Sequence, residues 1–270
     1  MSAPSLSTSE AASAALPAIE VEGLSASYHV RVGNAAGWWG LRRLVQGSGA
    51  GLREVPALRD VSFSVPKGTV LGVIGRNGAG KSTLLRTLAG ILAPKEGRVV
   101  VRGRISPLLS VGLGMQGDLS GRENIRLGAL AFGHPPEELD RLAESIAAFA
   151  QLGEYLDFPF KSYSAGMKSR LGFAVAAHLD PEILLIDEAL TGGDAKFREK
   201  TADKMFELCG DGRTIVIVTH GLTIVRTIAT TALWLHQGRI VEFGDPDDVV
   251  AAYMRYCRLH SETLAIIDED

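Results

Sequence analysis

The sequence is short of cysteine and has no long apolar run. Its 270 residues include two cysteines, Cys209 and Cys257, which cannot form a disulfide framework and lack metal-site spacing. No stretch approaches the roughly 18 apolar residues that a membrane-spanning helix needs. Charge of one sign is not in excess either, because 28 basic and 31 acidic residues leave a net charge of −3. This composition predicts a soluble globular protein without nucleic acid as a partner.

The N-terminal segment, residues 1–17, is rich in serine and alanine. It lacks the basic start and the continuous apolar core of a secretory signal, so we expect a disordered tail there. Ordered structure is expected from residue 18 to residue 257, followed by a second tail at 258–270.

Between these tails, segments with strand and helix patterns alternate, which predicts an α/β fold. The expected strands are 19–28, 61–65, 69–74, 98–105, 183–186, 214–219 and a hairpin at 232–235 and 239–243. The expected helices are 81–92, 121–132, 136–152, one beginning near 164, 195–208 and one beginning at 246.

A glycine-rich loop lies between the expected strand 69–74 and the helix that follows it. Its sequence, GRNGAGKS, fits the pattern G-x-x-x-x-G-K-[ST] of a phosphate-binding loop. The glycines let backbone N–H groups close around a phosphate at the positive end of the helix dipole. Lys81 is expected to reach the β- and γ-phosphates, and Ser82 to bind Mg²⁺. The nucleotide-binding residues expected here are Gly75, Asn77, Gly78, Ala79, Gly80, Lys81, Ser82 and Thr83.

Two carboxylates follow the apolar strand 183–186. A buried strand delivers Asp187 to the carboxyl edge of the sheet, beside the phosphate loop, where it is suited to bind Mg²⁺. Glu188 points differently because side chains alternate along a strand. We therefore expect Glu188 to orient or deprotonate the attacking water.

A second helix start with anion-binding character lies upstream, in the segment YSAGMK. Ser164 is a good N-cap, and Gly166 keeps the first turn open. The chain thus has two phosphate-binding helix starts around one acidic strand.

With these motifs in this order, residues 19–256 resemble the nucleotide-binding subunit of an ATP-binding cassette (ABC) transporter. The resemblance implies a P-loop NTPase cassette with a RecA-like core, an antiparallel β subdomain and an α-helical signature subdomain at about 117–180. It also implies a head-to-tail homodimer. Ser164 and Gly166 would bind ATP across the dimer, Asp194 would connect the two sites, and His220 would sense the γ-phosphate.

By the same resemblance, Tyr28 would stack on adenine. The family also places a glutamine that binds nucleotide and metal in the loop before the helical subdomain. Gln116 and Ser110 both compete for that role, and Gln116 is the expected residue. The catalytic group implied is Glu188, His220 and Lys81, and the Mg²⁺ ligands implied are Ser82, Asp187 and Gln116.

Three departures from the common family pattern narrow the resemblance to one branch. The signature reads YSAGM instead of LSGGQ, the Walker B region reads DEALTGGDAKF, and an insert occupies residues 29–56. Together they resemble the exporters of lipid-linked polysaccharides such as O-antigen, teichoic acid, capsule or galactan-like glycans. The resemblance implies a subunit that hydrolyses ATP with Mg²⁺ and drives a separate transmembrane permease at the cytoplasmic face of the bacterial inner membrane.

Two other functions remain open at this point. An importer cassette would share the ATP site, although the insert and the YSAGM signature favour export. A soluble ABC-type ATPase not coupled to transport would share it too, although such proteins usually carry long coiled coils, zinc cysteines or a second cassette.

The insert at residues 29–56 combines tryptophan with arginine. On a helix, one face carries Trp38, Leu41, Leu44 and Val45, with Arg42 and Arg43 off it. Tryptophan beside arginine suits a membrane–water interface, so one interpretation puts the insert near lipid headgroups or the permease. The other is a glycine-rich loop whose two tryptophans cover the core.

Overall fold

The computed structural model describes residues 16–31, 52–108, 114–187 and 195–267. Its strands are β1 (Ile19–Arg31), β2 (Leu52–Val65), β3 (Val70–Ile74), β4 (Glu96–Val101), β5 (Ile105–Leu108), β6 (Ile183–Asp187), β7 (Thr214–Val218), β8 (Thr231–His236) and β9 (Arg239–Gly244). Its α-helices are α1 (Lys81–Leu88), α2 (Gly121–Ala131), α3 (Leu139–Ala150), α4 (Ala165–His178), α5 (Ala195–Gly210), α6 (Leu222–Ile228) and α7 (Pro246–Ile267). Short 3₁₀ helices lie at Pro136–Glu138, Gly153–Asp157 and Phe160–Ser162.

The central sheet has six strands in the order β5-β6-β7-β3-β8-β9, all parallel except β9. Every residue of β3 and β7 is buried, as both faces of a parallel sheet are covered. Because parallel strands end at the same edge, the phosphate loop after β3, Asp187 at the end of β6 and the segment with His220 after β7 lie side by side.

A second sheet, of three antiparallel strands in the order β2-β1-β4, packs against α1. Ile19 and Leu24 of β1 share a buried cluster with Leu84 and Leu88 of α1. Burial of these side chains ties the antiparallel sheet to the helix that begins at the phosphate loop.

The helical region, α2 to α4, has its own buried centre around Ile125, Ile146 and Phe173. A capping box starts α2, where the Ser120 hydroxyl accepts from the Glu123 N–H and the Glu123 carboxylate accepts from the Ser120 N–H. These hydrogen bonds hold the pKa of Glu123 below its usual value. The expected α/β fold with an antiparallel β subdomain and a helical subdomain is confirmed.

Several boundaries differ from the sequence expectation. The outer ends of the predicted insert are strand, since Tyr28 pairs with Val55 and Val30 with Arg53. The predicted strand 98–105 is two strands in different sheets, divided near Gly103, whose φ of +136° breaks the extended backbone. Helix α1 stops at Leu88, before Gly90 with φ +72°. The predicted tail from 258 is helical to Ile267.

The remaining part of the insert, with Trp38 and its neighbours, lies outside the described residues, as does the N-terminal tail up to residue 15. Within the described ranges, no helix combines the length and the apolar character that crossing a membrane requires.

Candidate nucleotide site

The phosphate loop joins β3 to α1 through glycines with left-handed backbone angles. Gly75 has φ +151°, Gly78 +78° and Gly80 +108°, and residues with a Cβ rarely adopt such angles. The loop also packs closely against the backbone of β8 and β2. A Cβ on Gly75 would stand 2.2 Å from the Leu235 carbonyl oxygen, and one on Gly80 would stand 2.6 Å from the Ala57 carbonyl oxygen.

Gly78 differs, because a Cβ there would meet nothing within 4 Å. This glycine therefore borders open space, whereas Gly75 and Gly80 allow close contact with β8 and β2. The Gly238 N–H, in the turn after β8, donates to the Ala79 carbonyl at 2.9 Å and secures the loop from that side.

We expect Gly75→Ala to lower the free energy of unfolding by about 3 kcal/mol, because its methyl group forces the loop away from β8. Gly78→Ala is the matched control and should cost only about 1–2 kcal/mol, because it strains the backbone angle alone. Urea denaturation followed by circular dichroism measures both changes. Equal losses in the two variants would contradict the assigned close contact.

Lys81 is the buried cation of the site. It is 7% exposed, and its Nζ donates to the Gly75 carbonyl at 2.7 Å and the Arg76 carbonyl at 3.1 Å. Burial lowers the pKa of Lys81, while the nearby Asp187 carboxylate acts to raise it. An ammonium group has three donors. Two of them hold the loop, and the third is available to an anion seated on it.

The fold brings Ser82, in the first turn of α1, next to Asp187, the last residue of β6. The Ser82 hydroxyl donates to Asp187 Oδ2 at 3.1 Å. A hydroxyl and a carboxylate are oxygen ligands that suit Mg²⁺. No group of three or more His, Cys, Asp or Glu ligands occurs in the described part of the chain. A Mg²⁺ ion here would therefore need ligands from phosphate and water, which is its usual preference.

Gly78, Lys81, Ser82 and Asp187 line one cleft of about 700 Å³. Tyr28 and His220 line the same cleft. Tyr28 Oη and Thr83 Oγ1 are 3.3 Å apart, and the Arg86 guanidinium donates to Tyr28 Oη at 3.5 Å. An aromatic ring at one end and a phosphate loop at the other suit a nucleotide in size and chemistry. Nothing in the sequence motifs pointed to Arg86.

The cleft also has an apolar wall that sequence reasoning missed. It is formed by Val55, Pro56 and Ala57 of β2 and by Val218 at the end of β7. Val55 and Pro56 fell within the predicted insert at 29–56, and only the pairing of β2 with β1 brings Val55 opposite Tyr28.

Three of the expected site residues lie away from this cleft. The main chain of Gln116 is held by the Asn124 side chain, with contacts of 2.7 and 3.0 Å, and Gln116 does not line the cleft. The Ser164 hydroxyl caps α4 by accepting from the Met167 N–H at 3.2 Å. A Cβ on Gly166 would meet only Ser164 Oγ, at 4.0 Å. The fold of one chain therefore does not bring the signature to the phosphate loop.

Glu188, Asp194 and Ser110 lie outside the described residues. Their roles stay predictions from the sequence.

Comparison with known proteins identifies relatives of the described fold. Residues 58–191 match the protein family described as ABC transporter. Curated relatives include the teichoic acids export ATP-binding protein TagH of Bacillus anthracis, 42% identical over 76% of this chain and 37% of the relative. The TagH protein of Listeria monocytogenes is 43% identical over 75% of this chain and 60% of the relative.

The O-antigen export system ATP-binding protein RfbB of Myxococcus xanthus is 45% identical over 74% of this chain and 46% of that protein. The chain thus spans about 37% to 60% of the length of these curated relatives.

Solved structures agree with the fold. One, titled as the structure of the ATP-binding subunit of an ABC transporter, has a TM-score of 0.69 at 25% identity and covers 87% of this chain and 92% of its own. The post-hydrolysis dimer of the ATP-binding cassette MJ0796 bound to ADP and Pi has a TM-score of 0.68 at 21% identity, covering 84% and 98%. The predicted P-loop cassette fold is confirmed.

Proposed function

Because residues 58–191 match the protein family described as ABC transporter, we propose that this chain hydrolyses ATP to drive the export of a lipid-linked polysaccharide. The observation that carries the ATPase part is the Ser82–Asp187 contact beside the buried Lys81, at one end of a nucleotide-sized cleft. The export part is supported by the names of the relatives.

The residues present fit ATP and Mg²⁺. The open side of Gly78 leaves room for phosphate against the backbone N–H groups of the loop. Lys81 binds the β- and γ-phosphates, and Ser82 and Asp187 hold the metal. Bound Mg²⁺ supplies positive charge that offsets the charge developing on the phosphate oxygens. At the other end of the cleft, the Tyr28 ring packs on the adenine base.

Hydrolysis needs a water positioned in line with the γ-phosphate. We assign Glu188, which follows the metal ligand Asp187 in sequence, as the residue that orients this water and accepts its proton. His220 lines the same cleft, and we assign it to sense the γ-phosphate. The position of Glu188 directly after Asp187 in the sequence supports the first assignment, and the resemblance to the family supports the second.

A second copy of the chain completes the site. Ser164 is exposed and, with Gly166, starts α4 away from the cleft of its own chain. A helix start with a small residue is suited to close on a phosphate held by another protomer. In this arrangement Asp194 links the two sites, and ATP at both interfaces holds the dimer closed. Opening after hydrolysis delivers rigid-body motion to a membrane partner.

The membrane partner in this proposal is a separate permease. The subunit would work at the cytoplasmic face of the bacterial plasma membrane, attached through that permease. The cargo class is a lipid-linked glycan of the O-antigen, teichoic acid, capsule or galactan-like kind. Two relatives with different cargoes are both named for export, which supports an exporter over an importer cassette or an uncoupled ATPase.

Mixing two inactive variants tests the head-to-tail site. Lys81→Ala removes the phosphate-loop cation, and Gly166→Asp adds a negative charge to the signature without a steric clash in the free chain. Each variant alone should lack ATPase activity. In a mixed dimer, one site combines an intact loop with an intact signature, so an equimolar mixture should recover part of the wild-type rate. Each variant mixed with itself is the control, and no recovery would contradict the composite site.

A further inference from the structure

A second cavity, of about 420 Å³, borders the same phosphate loop. Five of the residues that line it have polar side chains: Arg76, Asn77, His220, His236 and Gln237. Asn77 and His220 also line the nucleotide cleft, so the two cavities meet at these residues. We call this second space the side cavity.

The side cavity is rich in N–H donors. Arg76 carries a permanent positive charge, the histidine rings each carry at least one N–H, and the amides of Asn77 and Gln237 carry two. No carboxylate belongs to its lining in the described part of the chain. This chemistry selects an anion with several acceptor oxygens.

One side chain of the C-terminal helix that interacts with Arg76 is a phenol, that of Tyr253. Tyr253 of α7 lies within the electrostatic reach of the Arg76 guanidinium. Burial, with a hydrogen bond to Cys257, raises the pKa of Tyr253 to about 12. The phenol therefore stays neutral at physiological pH, and the positive charge remains available to an anion.

His236 is held in place before any anion arrives. Its Nε2 lies 3.3 Å from the Tyr256 hydroxyl, and the two rings meet edge to face with centroids 5.1 Å apart. Trp234 packs against Tyr256 with centroids 5.2 Å apart. A donor whose rotamer is set by such packing loses little entropy on binding.

We propose that the side cavity binds the inorganic phosphate released by ATP hydrolysis. The proposal rests on the proposed ATPase function, and it goes beyond it by giving the product a site of its own. His220 forms part of both cavities, so a phosphate ion leaving the γ-position passes from one set of donors to the next. Arg76 and His236 are the residues that hold the ion there, and Tyr256 is a positioning residue for His236.

The test separates this site from the γ-position. Inorganic phosphate is titrated calorimetrically into the full chain saturated with Mg²⁺ and the β,γ-imido analogue of ATP, whose terminal phosphate fills the γ-position. Saturable binding near one equivalent per chain is expected. Arg76→Gln should weaken it at least about tenfold, and Arg76→Lys should weaken it less. The Lys81 contact uses the main-chain carbonyl of Arg76, so affinity for the analogue should change little.

Arg141→Gln, at an exposed position of α3, is the matched control and should leave phosphate binding unchanged. Tyr256→Phe removes the hydroxyl beside His236 and should weaken phosphate binding severalfold. Its melting temperature should fall less than that of a chain with a substitution in the hydrophobic core. Absence of phosphate binding to the analogue-loaded chain, or binding that Arg76→Gln leaves intact, would overturn the proposal. Failure of the analogue itself to bind would instead contradict the proposed ATPase function.

Discussion

Lys81→Ala is expected to abolish ATP binding and to reduce ATP hydrolysis more than about 100-fold. The Lys81 ammonium is the buried cation directly beneath the loop, and in the proposed function it faces the β- and γ-phosphates. Its loss removes the charge that offsets the phosphates and also the donor to the Gly75 and Arg76 carbonyls. Isothermal titration calorimetry with ATP and a phosphate-release assay measure the two effects.

Lys67→Ala provides a matched control. Lys67 is an exposed lysine before β3, at the opposite end of this strand from the phosphate loop, so this variant should keep wild-type affinity and rate. Circular dichroism distinguishes loss of binding from loss of fold. A Lys81→Ala chain that is folded and hydrolyses ATP at the rate of the Lys67→Ala chain would contradict the assigned site.

Glu188→Gln should also lose ATP hydrolysis, but unlike Lys81→Ala it should keep ATP binding. The amide keeps the size of the side chain but cannot accept a proton from the attacking water, so we expect the rate to fall at least about 100-fold. ATP affinity should stay near the wild-type value, because Lys81, Ser82 and Asp187 are unchanged. With ATP bound and not consumed, the dimer should remain closed.

Size-exclusion chromatography in Mg²⁺ and ATP measures this trapped dimer, and phosphate release measures the turnover. Glu199→Gln, an exposed carboxylate on α5, is the control and should neither trap the dimer nor slow the reaction. Normal turnover in the Glu188→Gln chain would remove Glu188 from the catalytic role. Weak ATP binding in that variant would show a structural role instead.

Much of the nucleotide site could be predicted because its parts are local in sequence. The loop from Gly75 to Ser82 is one continuous turn, whose conformation depends on glycines at set positions and on the helix that follows. Asp187 could be placed beside it because parallel strands end at a common edge, and the 3.1 Å contact between Ser82 and Asp187 agrees with that expectation.

Strand boundaries were harder to predict from the sequence. Pairing with a neighbouring strand extends a strand beyond the residues whose local sequence pattern favours it. The β1–β2 ladder continues to Arg31 and Leu52, where the sequence suggested an irregular insert. Inter-strand hydrogen bonds stabilise residues there that have little strand propensity of their own. The apolar wall of the cleft at Val55, Pro56 and Ala57 depends on this pairing.

By itself, the sequence determined the chemistry of the phosphate loop, the acidic strand end and the α/β alternation, because each depends on residues close along the chain. Only the tertiary structure decided which distant residues share a cavity. It put the Leu235 carbonyl against Gly75, the Arg86 guanidinium on Tyr28, and His236 and His220 in one wall with Arg76. The physical reason is that these contacts arise from sheet order and helix packing, which no short stretch of sequence encodes.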